Sequence, residues 1–395
     1  MLDITLMSLF SVCAFFIVYH HAGYPLFLSW YAKRHPTQPI IFANRGYRSQ
    51  SRDQQRPSIT IIVPAYNEEK WIADKIRNLA MLDYPVNRLK VIIACDGCTD
   101  KTAEIAQATI QEASCSETLF EIHVHPINRG KVALINHHME TIDSDITGFS
   151  DVSALISIDA LVIAEQHFKQ QDTGVVNSSY QILDSMNQGE LDYWKYQSKI
   201  KQREATLGST LGAHGAFYLF RTDLFEPLKG NTINDDFVLP MQIVKKGFRT
   251  KHEKRMIAVE MESTINENDF KRRIRISAGN MQQVIRLAAL FKPKYKGVAF
   301  AFFSGKGLRL ITPYLMITCL ITSALLASNP LFLAALITQI SCYSIAILHH
   351  FFPSISRIKP CQLITYLITG HYANFIGGMR YLLGLESGHW TRINH

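Results

Sequence analysis

The stretch SITIIVPAYNEE, residues 58–69, decides how the chain reads. Its first six residues form a β-branched run of the kind that makes a buried strand. Pro64 ends the run, and a polar segment with two carboxylates precedes a helical pattern that continues to about Ala80. The same order of events recurs downstream. LKVIIA, residues 89–94, is a second run, and 100–108 is a second helical pattern. Further strand signals lie at 120–125 and 141–149. Strand and helix in alternation predict an α/β fold with parallel strands. Sheets of this type bind ligands beyond the carboxyl ends of their strands.

Those ends carry the polar residues. Pro64-Ala65-Tyr66-Asn67-Glu68-Glu69 follows the first run and Cys95-Asp96-Gly97-Cys98-Thr99-Asp100 the second. Asn128-Arg129-Gly130-Lys131 comes next, then Ser150-Asp151. Any one of these alone reads as a turn or a helix cap, and Asn67 and Thr99 suit caps well. Four in order at one sheet edge read as a ligand site. No GxGxxG follows the first strand and no GxxxxGK[ST] occurs, which argues against a dinucleotide enzyme or a P-loop nucleotidase.

This ordered series resembles glycosyltransferase family 2, the inverting enzymes of the GT-A fold. Val63-Pro64-Ala65-Tyr66-Asn67-Glu68 is similar to the family's opening motif. Cys95-Asp96-Gly97-Cys98-Thr99-Asp100 is similar to its Asp-Asp-Gly-Ser-Thr-Asp pattern, with cysteine at the first Asp and at the Ser. Gly130-Lys131 through Asn136 matches Gly-Lys-x-x-x-x-Asn, and Asp151-Val152-Ser153 falls at Asp-x-Asp. Asn234-Asp235-Asp236 falls at Thr-Glu-Asp, and Arg272 to Ile276 falls where processive members have Gln-x-x-Arg-Trp. The likeness spans residues 59–290 and is greatest to membrane-bound polysaccharide synthases. It implies a mixed Rossmann-like sheet between membrane helices. It also implies transfer of a sugar from a nucleoside diphosphate, expected to be UDP, to a saccharide or lipid-linked acceptor.

The resemblance assigns roles to residues. Asp236 becomes the general base for the acceptor hydroxyl, with Asp235 orienting the loop or the acceptor. Asp96 would hold the nucleobase, with Pro64, Ala65, Tyr66 and Glu68 around the nucleoside. Lys131 would reach base or phosphate. Arg272 and Arg275 would face the diphosphate, although Lys271 to Arg275 also makes a basic face suited to a lipid surface. Asp151 is the expected Mg²⁺ or Mn²⁺ ligand. Ser153 is at most a weak neutral one, which predicts loose metal binding without donor. Ile276 replaces the tryptophan that lines the acceptor site of processive relatives, putting processive synthesis in question. Trp194, with Tyr193 and Tyr196, is an alternative stacking surface or simply a helix packed on the sheet. Gly212-Ala213-His214-Gly215 is an acceptor or phosphate loop, or a tight strand entrance.

The ends of the chain are of another character. With 47% hydrophobic and 19% charged residues, the 395-residue chain is too apolar to be soluble throughout. Residues 4–19 lack charge, and the apolar character resumes through Trp30 and Tyr31 before Lys33 and Arg34. A signal peptide carries its positive charge ahead of the apolar core; this order predicts a membrane helix with its carboxyl end inside. Stretches 311–328 and 331–352 predict a hairpin turning at Asn329-Pro330, with Arg309, Arg357 and Lys359 inside. The stretch 362–384 either spans or lies in the interface. The expected domains are a membrane helix over 1–34, a basic linker over 35–56, a GT-A domain over 57–290 and a membrane region over 291–395. The expected location is the cytoplasmic membrane, multi-pass, with the GT-A domain in the cytoplasm. The net charge of +8 is read as affinity for anionic lipid and a phosphorylated ligand, not for nucleic acid. Three or four spans are few for a polymer channel, so a partner export protein is expected. Seven scattered cysteines, with one CxxC and no second pair near it, argue against a zinc or redox site. The competing readings are a nucleotidyl or phosphosugar transferase, which lacks its phosphate loop here, and a catalytically impaired assembly subunit. Ser153, Cys95 and the altered Arg272–Ile276 region favour the latter.

Overall fold

The computed structural model describes residues 2–36, 51–183, 188–262, 266–352 and 358–386. Most of the linker expected over 35–56 lies outside them. The chain forms two compact units, one of residues 34–265 and one of Met1–Lys33 with Asn266–Glu386.

The first unit is built on eight strands: β1 (Ile59–Ala65), β2 (Leu89–Asp96), β3 (Leu119–His125), β4 (Ile146–Ser150), β5 (Ala154–Ile156), β6 (Thr173–Ile182), β7 (Phe217–Arg221) and β8 (Arg249–Glu260). Their order across the sheet is β3-β2-β1-β4-β7-β6-β8-β5. The first four in that order run parallel. The sheet turns mixed at β7, antiparallel to both β4 and β6. All four motif-bearing strand ends therefore emerge at one edge, as the alternation predicted. Both faces of β1 are buried, so its sequence is apolar without alternation. Ile59, Ile61 and Val63 pack with Ile72, Ile76 and Leu79; Ile62 packs on the other face with Val132, Ile135 and Leu239. Each fully buried isoleucine of this kind contributes about 1.5–3 kcal/mol.

The helices, in chain order, begin with α1 (Leu2–Val18). It passes through one π-helical stretch, Tyr19–Gly23, into α2 (Tyr24–Arg34). The sheet unit carries α3 (Ile72–Ala80), α4 (Thr102–Thr109), α5 (Lys131–Met139), α6 (Ala160–Phe168), α7 (Gln188–Glu204) and α8 (Asp235–Lys245). The second unit continues with α9 (Asn266–Arg286), α10 (Gly297–Ala301), a π-helical stretch Phe302–Gly307, α11 (Leu308–Leu325), α12 (Pro330–Phe351) and α13 (Lys359–Leu382). Among the described residues, three stretches are long and apolar enough to cross a membrane: Leu2–Arg34, Gly297–Leu325 and Pro330–His349. The hairpin between the last two turns where expected, Pro330 taking the first helical position and the Asn329 side chain capping the Leu331 N–H.

One boundary differs from expectation. The sheet unit ends at 265 rather than 290, and α9 belongs with the second unit. The reason is its packing on α13: a Cβ at Gly377 would strike the Ile274 carbonyl, so only glycine allows the two helices to approach so closely. Phe270 stacks on Tyr372 with ring centres 6.0 Å apart, and the Arg273 guanidinium covers the Tyr366 ring.

Candidate active site

The first two strand-end loops clasp each other. Asn67, with a left-handed φ of 54°, accepts from the Thr99 N–H at 2.8 Å, and its amide donates to the Thr99 hydroxyl. The Glu68 N–H donates to the Thr102 hydroxyl, and the Lys101 N–H to Glu69. Asn67 and Thr99 are thus cross-loop partners rather than helix caps. Pro64 and Ala65 lie in the sheet beside Ala94 and Cys95, with Tyr66 half-buried at its rim. The Cys98 thiol donates to the Ala65 carbonyl and is lowered to about 7, chiefly by its hydrogen bond with Cys95.

Asp96 is fully buried, and its two carboxylate oxygens accept the Arg129 and Gly130 N–H groups at 3.0 and 2.8 Å. It therefore shapes the third loop from beneath. Gly97 meets that loop so closely, at φ +63°, that a Cβ would collide with the Asn128 backbone. The loop delivers Lys131 to the first position of α5.

Lys131 is the hub of the site. Its Nζ lies 2.8 Å from Asp151 Oδ1 and 3.7 Å from Asp235 Oδ2. Burial works against its charge, but Asp151, Asp235 and Asp236 outweigh that and hold it protonated. Asp236 Oδ2 accepts the Gly215 N–H at 3.1 Å. A Cβ on Gly215 would lie 3.0 Å from Asp151 Oδ2 and 3.7 Å from Asp236 Oδ2. The two carboxylates thus converge over one bare patch of backbone. Burial pushes Asp236 up to about 6, with Asp235 adding to the shift and Lys131 and Lys201 opposing it. That value suits a group that must take a proton near neutrality.

Three side chains that sequence reasoning missed complete the surroundings. Lys75 of α3 is fully buried and donates to Ser150 Oγ at 2.6 Å and to the Ala154 carbonyl at 2.5 Å, bracketing the turn that holds Asp151. Lys201 of α7 donates to the Ala213 carbonyl and lies within electrostatic reach of Asp236. The Tyr218 hydroxyl is buried with no hydrogen-bond partner among the described residues; burial raises its pKa, and Asp235, Asp236 and Asp151 raise it further. Only Lys75 left a signal: a lysine on the stripe of Ile72, Ile76 and Leu79.

The candidate acceptor residues also come together. The His214 ring stacks on Tyr180 at 3.9 Å, and Trp194 meets both edge-on at 5.0 and 4.6 Å. His214 Nδ1 accepts from the Ala216 N–H at 3.1 Å, two residues further along the chain. Arg272 and Arg275 lie on α9, in the second unit, with Arg272 exposed and Arg275 half-buried.

Among the described residues, no trio of His, Cys, Asp and Glu side chains is arranged to hold a metal ion. The Asp151 side chain is 39% exposed, so one carboxylate is within reach of solvent. Ser153 is half-buried, its carbonyl accepting the Met261 N–H. One carboxylate and one hydroxyl fit a hard cation whose remaining ligands come from phosphate and water.

Residues 57–279 match the family model described as glycosyltransferase-like family 2. The poly-β-1,6-N-acetyl-D-glucosamine synthase of Staphylococcus epidermidis is 23% identical over 62% of this chain and 59% of its own length. The β-monoglucosyldiacylglycerol synthase of Trichormus variabilis is 24% identical over 52% of this chain and 45% of its own. The chain thus matches about half the length of these curated relatives. A mannosyltransferase from Pyrobaculum calidifontis, solved with GDP-Man and Mn²⁺, superposes with a TM-score of 0.73 at 20% identity, covering 96% of this chain and all of that one. That likeness establishes a shared GT-A fold. The match covers more than half of the chain and contains Lys131 and the three aspartates around it: the chain belongs to glycosyltransferase-like family 2.

Proposed function

We propose that the protein is an inverting glycosyltransferase of the cytoplasmic membrane. It would move a sugar from a nucleoside diphosphate, UDP in the first instance, to a saccharide or lipid-linked acceptor. The observation that carries this reading is the convergence of Asp151 and Asp236 over Gly215, with Lys131 between the acids. Asp236 removes the proton of the acceptor hydroxyl as that oxygen bonds to the anomeric carbon. The bond from that carbon to the diphosphate breaks on the opposite side, and its electron pair leaves with the phosphate. Lys131 and Asp151 face the departing diphosphate, while the clasped loops around Tyr66 and Glu68, ordered from below by Asp96, receive the nucleoside. Mg²⁺ or Mn²⁺ held by Asp151, with Ser153 beside it, would neutralise charge on the leaving group. Tyr180, Trp194 and His214 offer a face on which an acceptor ring can stack.

The relatives' names support glycan or glycolipid synthesis, and the three apolar helices support a multi-pass membrane location with the GT-A unit inside. An export partner is part of this reading if the product is a polymer. Arg272 and Arg275 remain proposed diphosphate contacts.

The test is release of nucleoside diphosphate by the full-length protein in membranes supplied with Mn²⁺ and a panel of UDP- and GDP-sugars. Release with at least one donor, increased by an acceptor extract, is expected. No release across the panel, under conditions where a family relative is active, would favour the impaired assembly subunit that Ser153 and Cys95 suggest.

A further inference from the structure

Arg309 stands at the second position of α11, inside a stretch apolar enough to span a membrane, and no carboxylate pairs with it among the described residues. Three imidazoles surround it within electrostatic reach: His20 and His21 from the π-helical stretch after α1, and His371 from α13. The cluster is built rather than accidental. His20 Nδ1 meets the Ser304 carbonyl at 2.9 Å, and the Tyr19 and Ser304 hydroxyls meet at 3.0 Å. His21 Nε2 lies 2.9 Å from His371 Nε2, and the Asn374 amide donates to the Arg309 carbonyl at 2.6 Å. Both chain segments that meet here, Tyr19–Gly23 and Phe302–Gly307, are π-helical. Local widening of this kind recurs at functional sites.

The depth of the cluster follows from helix length. Leu2 to Tyr19 and Arg309 to Leu325 each measure about 25 Å at 1.5 Å per residue, close to the ~30 Å of a bilayer's hydrocarbon core. The two helices run antiparallel, Cys319 facing the Phe10 carbonyl and Ser304 facing Tyr19. With Leu2 and Leu325 at one boundary, both lengths put the polar layer at the other, where lipid phosphates lie. A guanidinium at that depth reaches the headgroup layer, where phosphate is the counter-charge on offer. His21 is exposed and Arg309 half-buried, so the layer is open to a ligand from the lipid side.

We propose that Arg309, with His20, His21 and His371, binds the phosphate group of a membrane lipid. The guanidinium fork matches phosphate oxygens; His20, whose ring N–H goes to the Ser304 carbonyl, holds the layer together, and the ring that accepts in the His21–His371 pair keeps its other N–H for the same anion. The phosphate comes either from a bilayer headgroup or from a lipid-linked acceptor, and the second source rests on the glycosyltransferase reading above.

The test is equilibrium binding of radiolabelled lipids to the full-length protein in detergent, without sugar donor. The probes are phosphatidylglycerol, a polyprenyl monophosphate and, as the phosphate-free control, diacylglycerol. Saturable binding of about one phosphate lipid per chain is expected. Arg309→Gln should weaken it at least tenfold and Arg309→Lys by less, since lysine keeps the charge but loses the fork, with diacylglycerol unaffected. Preference for the polyprenyl phosphate assigns the acceptor as source; equal or better binding of phosphatidylglycerol assigns the headgroup. Because no donor is present, the result stands or falls separately from transferase activity. If Arg309→Gln does not elute as the wild type does, His21→Ala, on an exposed position, is the second variant and should weaken binding at least threefold. No saturable binding of either phosphate lipid, or wild-type affinity in a folded variant, overturns the proposal.

Discussion

The Lys75 ammonium, fully buried, lies 2.6 Å from the Ser150 hydroxyl beneath the turn that presents Asp151. Ser150 Oγ in turn donates to the Ala216 carbonyl at 2.8 Å, and the Asp151 N–H reaches the same carbonyl. Ala216 follows Gly215, which holds Asp236. One buried chain of hydrogen bonds thus fixes both carboxylates of the proposed reaction, and Lys75 is its inner end.

Lys75→Met should therefore disturb donor binding more than the chemical step. The expected outcome is a roughly tenfold rise in donor KM with kcat changed by less than threefold, since Lys75 touches no reacting atom. A second readout separates positioning from simple packing. Burial lowers the Lys75 pKa to about 7, with Asp151 and Glu260 opposing the shift. The unfolded chain then binds more protons than the folded one between about pH 7 and pH 10.5, so stability rises with pH across that window. The wild type should gain on the order of a few kcal/mol between those limits, measured by denaturant unfolding. Lys75→Met should lack that gain, and an identical pH slope in the two proteins would count against the buried charge.

Asp236 carries a different pH signature. As a base raised to about 6, it must lose its proton to act. The rate of transfer at low substrate should fall about tenfold per pH unit below that value and be flat above it. Asp236→Asn should lower transfer by about 10²–10⁴ while donor affinity stays within threefold. Its effect on stability has the opposite sense. A folded pKa above the unfolded value means that the protonated form favours folding, a contribution present below about pH 4 and lost as pH rises through 6. Asparagine does not titrate, so the variant should gain on the wild type between pH 4 and pH 7, by about 2 kcal/mol or less. Retained transfer in Asp236→Asn would remove the residue from its role.

Much of this was legible because it is local. A short apolar run followed by a polar segment recurs four times, and parallel pairing then brings those segments to one edge whatever the details. Lys131 and Asp151 were readable in that way, Asp235 and Asp236 through the resemblance to the family's Thr-Glu-Asp motif, and the Asn329-Pro330 hairpin from the apolar stretches on either side of it. The parts that were not legible depend on contacts between distant residues. Tyr180 meets His214 only because β6 pairs with β7. The α9 segment reads as polar and basic, and its place beside α13 in the second unit is set by Gly377, a hundred residues away. Lys75 was overlooked because a lysine on an apolar stripe is ordinarily a snorkelling surface residue; here Ser150 and Ala154 draw it inward.

The last expectation concerns metal. Lys131 Nζ already occupies the approach to Asp151 Oδ1 at 2.8 Å, and Ser153 supplies no second charge. Lys75 and Lys201 lie within electrostatic reach of Asp151 and Asp236 and add positive charge in their protonated forms. Lys131, held protonated, already offsets part of the aspartates' charge, so a divalent cation entering alone gains little Coulomb energy from the group. A donor diphosphate changes that balance by adding negative charge and oxygen ligands together. Mn²⁺ affinity, read by calorimetry or electron paramagnetic resonance on the full-length protein, should therefore be weak without donor. It should tighten at least tenfold when a nucleoside diphosphate is present. Lys131→Met uncovers Asp151, so it should strengthen donor-free Mn²⁺ binding several-fold while lowering transfer at least tenfold. Micromolar Mn²⁺ binding by the donor-free wild type, or a Lys131→Met protein whose metal affinity does not move, would show that Lys131 does not guard the carboxylate.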